Sequence, residues 1–116
     1  MQAIRPSTAL TLALAAVLVG PPPAAAEDED PFFDVHFSNG VISPAVIVVP
    51  ANKRFKLELH NDGSTPIEFE SIPLRKEKVL APGASSFLVF RSLQVGEYAF
   101  FDDFHLDMPP AKLIAR

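Results

Sequence analysis

The side chains best equipped for chemistry lie in two short stretches. Asp102, Asp103 and His105 are followed closely by Met108, and Glu68 and Glu70 flank Phe69 earlier in the chain. Carboxylate oxygen and imidazole nitrogen together suit Fe(II), Fe(III), Mn(II) or Cu(II), whereas a thioether is soft and suits Cu(I). Asp102, Asp103, His105, Glu68 and Glu70 are therefore candidate metal ligands, with Met108 read as packing. Glu77 is a weaker candidate, because Arg75, Lys76 and Lys78 surround it and can neutralise it. The bland alternative is a solvated acidic loop and a strand with one wet face. Nothing resembles a nucleophile–base pair or a phosphate-cradling glycine loop, which sets hydrolase and transferase chemistry aside.

Strands must position these groups. Phe33, Val35 and Phe37 alternate with Asp34, His36 and Ser38 up to the turn dipeptide Asn39-Gly40, and Phe55, Leu57 and Leu59 alternate with Lys56, Glu58 and His60 up to Asn61-Asp62-Gly63. That period of two is the mark of a half-buried strand. Further strands are expected over 45–49, 65–71, 77–80, 86–90, 98–101 and 112–115, punctuated by Pro44, Pro50 and Pro82-Gly83. Seven to eight short strands at even spacing with no helical period predict an all-β Greek-key sandwich. On the strand 65–71, Ile67 and Phe69 should face inward, leaving Glu68 and Glu70 outward and ~7 Å apart. His36 and His60 lie on polar strand faces, and form a second, weak metal site only if their strands pair. Arg75, Lys76 and Lys78 read as a charged sheet edge that discourages edge-to-edge pairing.

Residues 1–26 carry Arg5 as their one charge, an apolar run and the ending Ala24-Ala25-Ala26. The run, about 12 residues, is shorter than the ~20 needed to span a bilayer, so the segment is expected to be a secretory signal peptide cleaved near Ala26. Export follows as an expectation. Residues 27–32, beginning Glu27-Asp28-Glu29-Asp30, read as an acidic flexible tail, and 33–116 as one domain. The chain has no cysteine, so its stability must come from packing, a metal or a partner. A formal net charge of −4 argues against nucleic acid and anionic membrane surfaces and favours cations or a basic partner.

The segments Ile42-Ser43-Pro44, Asn61-Asp62-Gly63, Pro66-Ile67-Glu68-Phe69-Glu70, Leu80-Ala81-Pro82-Gly83 and Gly96-Glu97-Tyr98-Ala99-Phe100, in this order, resemble the EfeO-type cupredoxin-like domains of periplasmic iron-uptake systems. The stretch from Tyr98 to Met108 is similar to a cupredoxin copper loop in which Asp102 stands at the cysteine position and Met108 at the axial-ligand position. The first copper histidine is also missing, since the matching region reads Pro66-Ile67-Glu68. The resemblance implies a cupredoxin-like fold and an iron or copper ion in a non-blue site. The implied partners are an inner-membrane iron permease and a companion periplasmic metal-binding protein, with assistance to ferrous iron oxidation as a possible role. The alternative is a metal-free β-sandwich interaction module that has lost the copper site and kept the scaffold.

Overall fold

The computed structural model describes residues 2–4, 6, 8–9, 11–20 and 29–116. The expected cleavage site at Ala24-Ala25-Ala26 and the start of the acidic tail, Glu27-Asp28, lie outside the described residues. Those described within the first twenty carry neither helix nor strand, and Leu12, Leu14, Val17, Leu18 and Val19 are exposed. Among the described residues no helix is long and apolar enough to cross a membrane.

Nine strands make up the described domain: β1 (Phe32–Ser38), β2 (Val41–Ser43), β3 (Val46–Val49), β4 (Phe55–Asn61), β5 (Ile67–Ser71), β6 (Lys76–Leu80), β7 (Ser85–Phe90), β8 (Gly96–Asp102) and β9 (Ala111–Ala115). They form a four-stranded sheet in the order β2-β1-β4-β7 and a five-stranded sheet in the order β3-β9-β8-β5-β6. β1–β4 and β3–β9 pair in parallel and the other neighbours antiparallel. The all-β sandwich is the architecture that the strand pattern predicts. The added element is β2, whose three residues bury only Ile42 and offer no alternation to read.

The inward residues of both sheets share one core. Phe37, Phe55, Leu57, Leu59, Ile67, Phe69, Phe100 and Leu113 are fully buried. Phe55 stacks on Phe90 with centroids 4.9 Å apart, and Phe69 on Phe100 at 5.0 Å. Offset aromatic pairs of this kind add about 0.5–1.5 kcal/mol beyond their buried area. β4 and β5 keep a strict in–out alternation, which sends Glu58, His60, Glu68 and Glu70 to solvent-facing sides while their neighbours fill the core.

One turn decides how the far loop sits. Asn39 (φ 48°) and Gly40 (φ 92°) both take the left-handed region, as a two-residue hairpin between right-twisted strands requires. A Cβ on Gly40 would stand 2.7 Å from Met108 Cγ and 3.0 Å from His105 Cβ. Glycine at this point therefore serves both the turn and the seating of the 102–108 loop on the β1–β2 hairpin.

Candidate functional site

Parity along β8 sorts the acidic loop into two groups. β8 runs antiparallel to β5 with Phe69 opposite Asp102 and Glu70 opposite Phe101. Side chains alternate across a strand, so Phe100 and Asp102 point inward and the next residue, Asp103, is exposed.

Asp102 is 2% exposed, and a carboxylate so buried needs donors around it. Its Oδ1 accepts the backbone N–H of Glu68 at 3.0 Å and of Phe104 at 3.1 Å, and its Oδ2 accepts from His105 Nδ1 at 2.6 Å. With Nδ1 donating, the neutral imidazole leaves Nε2 as an acceptor, and the Thr65 hydroxyl lies 3.2 Å from it. Thr65 Oγ1 is also 3.3 Å from Asn39 Oδ1, which accepts from the backbone N–H of Ser64 at 3.0 Å. The loop, the Asn39-Gly40 turn and the turn after β4 are thus stitched together at one pole. Asn61, itself buried, braces the same turn by donating to Thr65 O and Leu80 O and accepting from Gly63 N.

Asp103 belongs with the strand carboxylates. Its backbone N–H donates to Glu68 O at 2.9 Å, and one oxygen each from Glu68, Glu70 and Asp103 lie within 4.8 Å of one another. Glu77 stands opposite Glu70 across the β5–β6 pair. Of the five residues singled out from the sequence, the structure gathers Glu68, Glu70 and Asp103 into one outward cluster. It pairs Asp102 with His105 on the inner side. Met108 is half-buried against Gly40, and its backbone N–H donates to His105 O.

One carboxylate of the cluster, Glu70, is biased toward its neutral form. Desolvation raises the Glu70 carboxyl above its ordinary value, and Glu77, Glu68 and Asp103 add to the rise, Glu77 also by a hydrogen bond. The folded state therefore holds a proton at pH values where the unfolded chain has lost it. Stability falls as pH climbs from the ordinary carboxylate range through the raised value. Glu70→Gln is expected to flatten that decline and to raise Tm at neutral pH while leaving it unchanged at acid pH. Thermal melts across pH check this, and parallel wild-type and variant profiles contradict it.

Sequence reading missed Thr65 and Asn39 as partners of the loop. The signal present was the two Asn-containing turns, whose side chains habitually bond nearby backbone. It also missed Asp34 and Glu58, which converge with His60 on the outer face of the other sheet.

A thiolate copper centre does not fit these residues. The chain contains no cysteine, and the oxygens of Asp102 are committed to three internal donors.

Comparison with known proteins agrees with the fold. A purple cupredoxin from Nitrosopumilus maritimus superposes with a TM-score of 0.55 at 17% identity, over 72% of this chain and 98% of that one. Auracyanin A from Chloroflexus aurantiacus, described as a blue copper protein, gives a TM-score of 0.61 at 10% identity, over 73% of this chain and 98% of its own. An uncharacterized protein of Rickettsia prowazekii (strain Madrid E) is 38% identical over 73 residues, 63% of this chain and 58% of that relative, so the match spans less than two thirds of the relative's length. The family model described as Cupredoxin-like domain matches residues 9–115. With a nine-stranded sandwich and a family match over nearly its whole length, the chain belongs to the cupredoxin-like domain family.

Proposed function

We propose that this is an exported, periplasmic cupredoxin-like protein of the EfeO type that binds iron or copper at an oxygen-rich, non-blue site and assists an inner-membrane iron-uptake system. The observation that carries the reading is the convergence of Glu68, Glu70 and Asp103 within 4.8 Å, with Glu70 held above its ordinary pKa by its surroundings. Three carboxylate oxygens within reach of one ion form a hard donor set, and a cation seated among them offsets the burial and the acidic neighbours that raise Glu70. Hard oxygen donors suit iron and hold Fe(III) more tightly than Fe(II), which fits a protein that receives iron and hands it on. Asp102 and His105 serve this site from behind, by fixing the loop that carries Asp103 against β5. An iron permease and a companion periplasmic metal-binding protein are the partners such a role requires. Export is supported by the apolar run and Ala24-Ala25-Ala26.

Calorimetric titration of the full chain with Fe(II) under anaerobic conditions, and separately with Cu(II), tests the reading. At least one ion is expected to bind with a Kd below about 100 μM, equivalent to roughly −5.4 kcal/mol. The double variant Glu68→Gln/Glu70→Gln should weaken that binding at least about tenfold, or ~1.4 kcal/mol. No binding of either ion, or binding indifferent to the double variant, refutes it.

A second reading rests on its own observation. Both ring nitrogens of His105 and both oxygens of Asp102 find partners inside the protein, as in a pole rebuilt for stability after losing a metal. On that reading the domain is a metal-free interaction module, and absence of binding by both ions is its signature.

A further inference from the structure

The second converging group lies on the opposite side of the sandwich. β1 and β4 pair in parallel with Asp34 opposite Glu58 and His36 opposite His60. All four side chains emerge on the outer face of the four-stranded sheet. One ligand atom each from Asp34, Glu58 and His60 lie within 4.8 Å of one another. The rings of His36 and His60 stack, with centroids 4.7 Å apart and planes inclined by 17°.

From this arrangement we propose a divalent transition-metal site on the β1–β4 face, with Asp34, Glu58 and His60 as ligands and His36 as the adjoining imidazole. It is independent of the carboxylate cluster on the five-stranded sheet. One nitrogen and two carboxylate oxygens form a donor set that Zn(II) accepts readily, with solvent completing a four-coordinate shell.

The surrounding hydrogen bonds are those that a ligating histidine needs. His60 Nε2 is 2.7 Å from Asp34 Oδ1, and His60 Nδ1 is 2.9 Å from Ser85 Oγ on β7. Without metal, Nε2–H donates to Asp34 and the serine hydroxyl donates to Nδ1. A metal at Nε2 requires the other tautomer, and the rotatable Ser85 hydroxyl then accepts from Nδ1–H without moving. Two ligand atoms at about 2.0–2.1 Å from one ion at a tetrahedral angle stand roughly 3.3 Å apart, so the His60–Asp34 contact has to open by about half an ångström. Both side chains are partly exposed, which leaves them free to do so. His36 has its Nδ1 fixed by Asp62 Oδ2 at 2.7 Å, which leaves Nε2 as the lone-pair nitrogen of its neutral ring. Lys56, 3.7 Å from Glu58, is the cation that an incoming metal displaces.

Zn(II) titration of the full chain, followed by calorimetry and by ¹⁵N resonances of the histidine rings, tests the site. The His60 ring signals should shift on Zn(II) addition, with a Kd below about 100 μM. His60→Gln and Asp34→Asn should each weaken this binding at least tenfold, whereas Glu68→Gln/Glu70→Gln should leave the His60 response intact. Melts of each variant without metal confirm that it is folded, and both substituted positions are partly exposed. An unchanged His60 spectrum, or a Zn(II) affinity of the Glu68→Gln/Glu70→Gln protein that survives the further substitutions His60→Gln and Asp34→Asn, overturns the proposal. Because Zn(II) at this face is read through His60, its failure is distinct from failure of Fe(II) or Cu(II) binding at Glu68, Glu70 and Asp103.

Discussion

Asp102→Ala is expected to lower stability by about 3 kcal/mol, because it strands groups that the fold cannot return to water. The carboxylate is almost fully buried and receives the backbone N–H groups of Glu68 and Phe104 as well as His105 Nδ1. A buried donor left without an acceptor costs about 1–3 kcal/mol. His105 offsets part of the loss, since its partly exposed ring can turn toward solvent. Asp102→Asn separates charge from hydrogen bonding. Its amide oxygen still accepts the two backbone N–H groups, while its NH₂ meets a ring nitrogen that must become an acceptor, so a cost of about 1 kcal/mol is expected. Urea midpoints for wild type, Asn and Ala variants should fall in that order with unchanged slope. The same series bears on function: if Asp102 positions the loop and leaves coordination to Asp103, Asp102→Asn should keep metal binding at Glu68, Glu70 and Asp103 within about threefold of wild type, under ~0.7 kcal/mol. An Ala variant as stable as wild type would remove Asp102 from the role assigned to it.

What the sequence made legible was whatever depends on local alternation. Phe55-Lys56-Leu57-Glu58-Leu59-His60 and Ile67-Glu68-Phe69-Glu70 announce both their strands and their faces, and the structure keeps each parity. The face of Asp102 was harder to read, because Tyr98, Phe100 and Phe101 put bulky aromatics on both parities of β8. With no clean apolar side, the strand did not declare whether Asp102 or Asp103 turned inward. That one-residue ambiguity inverts a site, since a shift of one residue exchanges the faces. Strand partnership was less visible still. Nothing within β1 or β4 announces that they pair in parallel, yet that pairing alone sets His36 beside His60 and Asp34 beside Glu58. Non-local pairing is fixed by the whole arrangement of strands, so the second cluster stayed a conditional possibility until the sheet order was known. The side-chain bonds among Asn39, Ser64 and Thr65 had the same origin: the two turns are remote in sequence and meet only when β1 and β4 lie together.

Phe69→Ala should be the most damaging of these substitutions, at about 4 kcal/mol, the middle of the range for removing a buried phenylalanine. Phe69 is fully buried, stacks on Phe100 at 5.0 Å, and lies directly opposite Asp102 in the β5–β8 pairing. Alanine there removes the ring, leaves Phe100 without its stacking partner and opens a cavity beneath the strand that carries Glu68 and Glu70. Domains of this kind hold about 5–15 kcal/mol in all, so a loss of this size takes up a large part of the margin. Phe69→Leu keeps most of the volume and should cost roughly 1–1.5 kcal/mol. The comparison extends to the carboxylates, because Phe69 is the inward anchor between the outward Glu68 and Glu70. At temperatures where both variants remain folded, Phe69→Ala should bind Fe(II) or Cu(II) more weakly than Phe69→Leu, since a loosened β5 no longer holds Glu68 and Glu70 converged. Chemical denaturation gives the stability ranking and calorimetry the affinities. A cost below about 1 kcal/mol for Phe69→Ala would mean that the ring is not packed as described. Equal affinities in the two variants would mean instead that the carboxylates are positioned by the loop alone.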